Sequence, residues 1–130
     1  MVWELKSDRP IYTQLLEELK RRIVAGDYKP GEKLLSVREF AQEAKVNPNT
    51  MQRALAELED IGLVHSMRTS GRFVTEDTEL IAKEKNGIAT DYVEQYYKQM
   101  LSLGYSVEDM VELLLQYKKE RGEEDESGRM

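Results

Sequence analysis

The stretch LLSVREFAQEAKVNPNTMQRALAELEDIGLVHSMRTSGRFV, residues 34–74, carries a start and a stop signal for each of two short helices and then a hairpin. Ser36-Val-Arg-Glu39 has the spacing of a capping box, in which the serine oxygen accepts from the amide three residues on and the glutamate reaches back. A helix is therefore expected over 37–44. Lys45-Val46-Asn47 reads as the turn, and Asn47-Pro48 restarts the helix. Asn is a strong N-cap, and Pro at the first helical position loses no needed hydrogen bond. Met51, Ala54, Leu55, Leu58 and Ile61 fall on one stripe of that second helix. Gly62 closes it in a left-handed conformation. Leu63-Val64 and Phe73-Val74 then flank a polar tip that holds Gly71, the pattern of a β-hairpin.

Helix, turn, helix and hairpin in that order predict a winged helix-turn-helix, a scaffold that presents one helix to a DNA major groove. At 100° per residue, Asn49, Arg53 and Ala56 lie opposite the apolar stripe, with Thr50 and Gln52 at its flanks. Asn and Gln pair bidentately with adenine, and Arg with guanine. A solvated helix face would carry polar residues too, so the surrounding charge matters. No carboxylate occurs over 45–56 or over 61–75, in a chain of formal net charge −6.

That acidity is unevenly placed. Residues 1–76 hold 12 basic and 12 acidic side chains, a net of zero, and residues 77–130 hold 7 and 13, a net of −6. For nucleic-acid binding the local field at the contact surface outweighs the mean charge. With no cysteine among 130 residues, disulfides and thiolate ligands are excluded. No apolar run reaches membrane-spanning length, and the first residues do not form a signal peptide, so no membrane partner and a cytoplasmic location are expected. His65 is the one histidine and has no recognisable base or nucleophile partner. Metal-ligand spacings and a phosphate-binding glycine loop are also missing. An enzyme is therefore not expected, and no cofactor or metal is implied.

Outward from the central stretch, residues 1–9 read as an extended lead-in whose Trp3 and Leu5 alternate with polar residues and pack on this domain or a partner. Pro10 opens a helix to about Ala25, with Ile11, Leu15, Leu19 and Ile23 at helical spacing and Gly26 as its stop. Lys20-Arg21-Arg22 forms a basic run on it. Pro30-Gly31 fits the centre of a type II turn. Leu15, Leu19, Leu34, Phe40, Leu55, Leu58 and Phe73 are the expected core. Residues 76–103 read as one long helix, weakened at Lys85-Asn86-Gly87, where a bend or break is expected. Gly104 ends it, and Ser106-Val-Glu-Asp109 starts a last helix. The division expected is a DNA-binding domain over 1–75, a two-helix region over 76–122, and a disordered acidic tail over 123–130. The fold class is mostly α with a small β-wing.

Two helices cannot bury two wide apolar stripes alone. Ile88, Tyr92, Tyr96, Met100, Met110, Leu114 and Tyr117 are therefore expected to form a homodimer interface. The tyrosines suit interface positions, with rings in the seam and hydroxyls at its edge.

The blocks Pro10-Ile-Tyr-Thr-Gln-Leu15, Gly26-Asp-Tyr-Lys-Pro-Gly-Glu-Lys-Leu34, Ser36-Val-Arg-Glu-Phe-Ala41, Val46-Asn-Pro-Asn-Thr50 and Gly71-Arg-Phe-Val74 resemble the N-terminal domain of the GntR family of bacterial transcription regulators. The short helical tail looks like the YtrA-like branch. The resemblance implies a homodimeric regulator, most often a repressor, on a double-stranded inverted-repeat operator. It implies DNA contacts from Ser36, Arg38, Asn47, Asn49, Thr50, Arg53, Arg68 and Gly71; geometry adds Gln52, Ser70 and Arg72. Three positions depart from the family pattern: Leu35 where proline is usual, Met67 where a basic residue is usual, and Thr69 where glycine is usual. Other branches carry a larger effector domain. This tail is too short to enclose a cavity, so any small-molecule effector is expected at the dimer interface. The alternative reading is a winged-helix adaptor that binds protein and has no specific DNA affinity.

Overall fold

The structure is a computed structural model that describes residues 2–122. The acidic segment read at 123–130 lies outside the described residues. The elements are α1 (Ile11–Ala25), α2 (Val37–Ala44), α3 (Pro48–Ile61), β1 (Val64–Met67), β2 (Gly71–Val74), α4 (Thr78–Ser102) and α5 (Val107–Arg121). The mostly helical fold with a small wing matches the reading of the sequence.

Local chemistry sets each junction. Ser36 Oγ accepts from the Glu39 amide at 3.1 Å, and Glu39 Oε1 accepts from the Ser36 amide at 2.9 Å, which completes the capping box of α2. These hydrogen bonds, the backbone amide first, hold the Glu39 carboxyl below its ordinary range. Asn47 Oδ1 caps α3 by accepting from the Asn49 amide at 2.7 Å. Gly62 ends α3 at φ +97°, a left-handed conformation that a side chain resists. Lys45 takes a similar conformation between α2 and α3, at φ +60°, without being glycine. Pro30 and Gly31 are the central pair of the turn closed by Glu32 N–H to Lys29 O at 3.0 Å, with Gly31 at φ +82°.

The chain divides into two compact units, the first ending at Ile88 and the second beginning at Ala89. In the first unit α1 packs along α3, and α2 closes over α3. Leu15, Leu19, Ile23, Leu34, Phe40, Met51, Leu55, Leu58, Leu63 and Val74 form its core. Trp3 and Leu5 of the lead-in pack on this same core. Gln14 fixes the lead-in, donating to Lys6 O and Arg9 O and accepting from the Lys6 amide. Phe73 departs from the expected core. The register His65↔Phe73 puts both rings on the outer face of the hairpin, where they stack at 6.2 Å, and Val74 points inward instead. The hairpin gains a third backbone partner, since Leu34 N–H donates to Arg72 O and Val74 N–H to Glu32 O, both at 2.9 Å.

Arg22 is buried to 0 % exposure. Its guanidinium donates to Glu18 at 2.8 Å, Tyr28 Oη at 3.0 Å and Val2 O at 3.3 Å, and lies 4.0 Å over the Trp3 ring. The basic run on α1 is thus largely internal to the domain, with Lys20 on Glu84 and Arg21 on Glu18 and Asp27. Burial raises the Glu18 carboxyl, but the hydrogen bonds from Arg21 and Arg22 outweigh it and the net shift is downward.

Helix α4 runs without a break from Thr78 to Ser102, through the weak point at Lys85-Asn86-Gly87. One glycine in a long helix costs only about 1 kcal/mol. Asp77 caps its start by accepting from the Leu80 amide. Leu80 and Ile81 pack on the core of the first unit, so that unit extends past the end of the wing. In the second unit, Ser106 and Asp109 form the capping box of α5, and Tyr96 Oη donates to Met110 O at 2.8 Å.

Candidate nucleic-acid interface

The α3 surface follows from its stripe. Met51, Ala54, Leu55 and Leu58 are buried, so Asn49, Gln52 and Arg53 are exposed, and Thr50 is half-buried at the flank. Asn47 is exposed at the helix start, with Oδ1 engaged in the cap. Arg38 is exposed on the first turn of α2.

The wing tip is a three-residue loop between Met67 and Gly71. Ser70 N–H donates to Met67 O at 2.6 Å, and Arg68 sits at φ +35°. A cleft of about 450 Å³ separates this tip from the start of α2, and Ser36, Arg68, Ser70, Gly71 and Arg72 all line it. These five expected contact residues are therefore brought together. Asn47, Asn49, Thr50, Gln52 and Arg53 form a separate group on α3, outside that cleft.

The arginines differ in a way that sorts them. Arg9, Arg21, Arg22 and Arg72 are each in an ion pair. Among the described residues Arg38, Arg53 and Arg68 are in none, although the chain is rich in carboxylates. Arg53 and Arg68 sit within the acid-free stretches 45–56 and 61–75, and Arg38 is in no ion pair although Glu39 follows it in the chain. Such cations are available to phosphate or to a base edge.

Arg72 has a different setting. The register Ser66↔Arg72 points both side chains toward α3, where Arg72 Nε donates to Glu59 Oε1 at 2.7 Å and Ser66 Oγ donates to the same oxygen at 2.9 Å. The hydrogen bond from Arg72 is the main reason the Glu59 carboxyl lies below its ordinary range. The three side chains brace the wing against α3. Glu59 was not singled out from the sequence; the alternation from Val74 back to Arg72 was the available signal. Tyr12 was missed as well. The Arg53 guanidinium carbon lies 3.5 Å from the centre of the Tyr12 ring.

Residues 11–74 match the family model described as bacterial regulatory proteins, gntR family. The chain is 39 % identical over 109 residues to the HTH-type transcriptional regulator YhcF of Bacillus subtilis, covering 84 % of this chain and 90 % of that protein. The chain belongs to the GntR family. It is also 35 % identical over 101 residues to the HTH-type transcriptional repressor YtrA of Bacillus subtilis, covering 78 % of this chain and 76 % of that one. Among solved structures, a GntR family transcriptional regulator from Listeria monocytogenes superposes with a TM-score of 0.82 at 38 % identity, over 86 % of this chain and 98 % of its own. The similarity to YtrA runs past the winged helix into the tail, in keeping with the YtrA-like branch read from the sequence. The protein is a DNA-binding transcriptional regulator, and its relatives are named as regulators, not enzymes. No helix among the described residues is long and apolar enough to cross a membrane.

Proposed function

We propose that this GntR regulator is a cytoplasmic homodimeric repressor that binds an inverted-repeat operator. Each subunit places α3 in one major-groove half-site. Asn49, Gln52 and Arg53 face base edges, Thr50 and Asn47 face the flanking backbone, and Arg38, Ser36 and the wing residues Arg68, Ser70 and Gly71 face phosphate or the adjacent minor groove. Arg72 acts through the brace to Glu59, holding the wing. The observation that carries the reading is the set of three arginines free of ion pairs on α2, α3 and the wing tip. Repression is favoured by the likeness to a named repressor over most of both chains.

The two-fold arrangement is supported by the second unit. Met110 is its one buried apolar side chain among the described residues, while Tyr92, Leu103, Leu114, Leu115 and Tyr117 are each more than half exposed. An apolar surface of that kind suits a second copy of the same helices. An open groove of about 500 Å³ lined by Tyr96, Met100, Leu113, Leu114 and Tyr117 lies on this surface. Any effector would enter there, at the dimer seam.

Selection of bound duplexes from a random pool, followed by titration across salt, tests the reading. An inverted repeat is expected, with affinity falling on a log–log salt slope of roughly four to eight, one unit per phosphate contact. A flat salt response with no selected sequence would favour the protein-binding adaptor. A single half-site consensus would remove the two-fold arrangement, as would a chain that sediments as a monomer at tens of micromolar, about the range where a functional dimer should have formed.

A further inference from the structure

Arg53 is the one arginine on α3, and its guanidinium does not hang free in solvent. Its carbon lies over an aromatic ring from a different element. Tyr12 stands on the first turn of α1 and is half-buried, so its ring is fixed by the packing of α1 along α3. The 3.5 Å separation is van der Waals contact between the guanidinium and the ring face. Stacking consumes the faces of a guanidinium and leaves its N–H edges open, and those edges are the ones that pair with guanine O6 and N7. No carboxylate competes for them among the described residues. Arg38 and Arg68, the other arginines of the proposed contact set without an ion pair, have no ring beneath them among the described residues.

We infer that Tyr12 is a specificity-determining positioning residue, a platform that aims the Arg53 fork at a guanine before DNA arrives. The inference rests on the reading of α3 as the base-reading helix. An unsupported arginine loses side-chain freedom on binding any sequence. A stacked one has lost it already, so the gain goes to the sequence that presents a guanine in the plane of the fork. Tyr12 itself needs no contact with DNA in this scheme. Its hydroxyl is dispensable and its ring is not.

The test compares wild type, Tyr12→Phe, Tyr12→Leu, Arg53→Ala and the Tyr12→Leu/Arg53→Ala pair on the duplexes that wild type selects from a random pool. Arg53→Ala identifies the base position that Arg53 reads. At that position alone, Tyr12→Leu is expected to lower discrimination about two- to tenfold, the range of a cation–π contact. Tyr12→Phe should keep it, the double variant should lose no more than Arg53→Ala, and the salt slope should stay that of wild type. A merely structural role would lower affinity for all sequences evenly. A second measurement stands even where Tyr12→Leu folds poorly: the Arg53 Nε–H proton should carry the upfield ring-current shift of Tyr12 in the free and in the DNA-bound wild type. Loss of that shift on DNA binding overturns the inference, as does an unchanged base preference in a folded Tyr12→Leu. A Tyr12→Phe defect equal to that of Tyr12→Leu would mean the hydroxyl touches DNA directly, and also overturns it. Wild type that selects no sequence refutes the DNA reading itself, and the inference with it. Arg53→Ala without a base-specific effect removes Arg53 as the reader while leaving DNA binding intact, and sinks the inference alone.

Discussion

The winged-helix unit and the helices beyond Ala89 treat their apolar residues in opposite ways. In the first, the leucines of α1 and α3 interlock until most have no solvent contact. In the second, two helices with as many large apolar side chains leave nearly all of them at the surface, Leu114 at 58 % and Leu115 at 60 %. The first unit contains the partners its sequence requires. The second leaves its apolar side chains without such partners among the described residues, as the proposed dimer requires. Local signals are equally good in both, since α2 and α5 each begin with a complete capping box. Helix formation and core formation are therefore separate achievements, and only the second needs a complementary face.

The strongest way to break this comparison is to make the same change in both units. Leu19→Glu puts a carboxylate into a fully buried site, and the first unit should lose its cooperative thermal transition by circular dichroism. Leu114→Glu should leave that transition in place, yet the chain should sediment as a monomer and bind a full operator about 10²–10⁴-fold more weakly, the usual gain from linking two sites. Equal loss of folding in both variants would mean that the tail is part of one common core.

A second prediction sharpens the first unit's own anatomy. Arg22→Met removes hydrogen bonds to Glu18, Tyr28 and Val2 from a buried setting. Urea unfolding should show a loss of about 1–3 kcal/mol. Arg21→Met, one residue away and partly exposed, should stay within about 0.5 kcal/mol of wild type. Indistinguishable values would remove Arg22 as the link between the lead-in and α1.

Next in size are the two caps. Ser36→Ala should cost about 1 kcal/mol, independent of protein concentration. Ser106→Ala should cost a similar amount, but one that grows as the chain is diluted if α5 packs on a second copy as proposed. Matching concentration profiles for the two variants would contradict the division between a closed and an open unit.

The smallest effect is that of pH on the wing brace. Glu59 titrates below its ordinary value near 4.5 because Arg72 donates to it. A depressed carboxyl stabilises the fold above the unfolded-state value, and that contribution is lost as pH falls through the folded-state value. Wild type should exceed Glu59→Gln by under about 1 kcal/mol near neutrality, as the pair is partly solvated. The gap should close as pH falls through the lowered folded-state value of Glu59. A gap that persists into acid would assign the brace to packing.

The sequence made legible whatever depends on residues two to four apart. The caps at Ser36, Asn47 and Ser106, the stop at Gly62 and the buried stripe of α3 are all of this kind, and the α3 face of the interface follows from that stripe. Features that join distant elements stayed hidden. Arg22 looks like Lys20 and Arg21 in a basic run, but it falls on the stripe of Leu15, Leu19 and Ile23, and its partners come from the lead-in and from Tyr28. Phe73 reads as core by composition and faces outward by register. The Tyr12–Arg53 stack joins residues forty-one apart in the chain, beyond any periodicity. Arg72, expected on geometry as a DNA contact, is also bonded to Glu59 at the end of α3, a partner the sequence does not reveal.

The brace has a consequence for anyone who would transplant recognition between relatives. Glu59 serves Arg72 and Ser66 with a single oxygen, so α3 and the hairpin form one interlocked cassette. A donor helix without a carboxylate at that position would strand a half-buried cation under the wing. Swapping base preference among these regulators therefore calls for moving Glu59, Ser66 and Arg72 as a set, or for confining the exchange to the solvent side of α3.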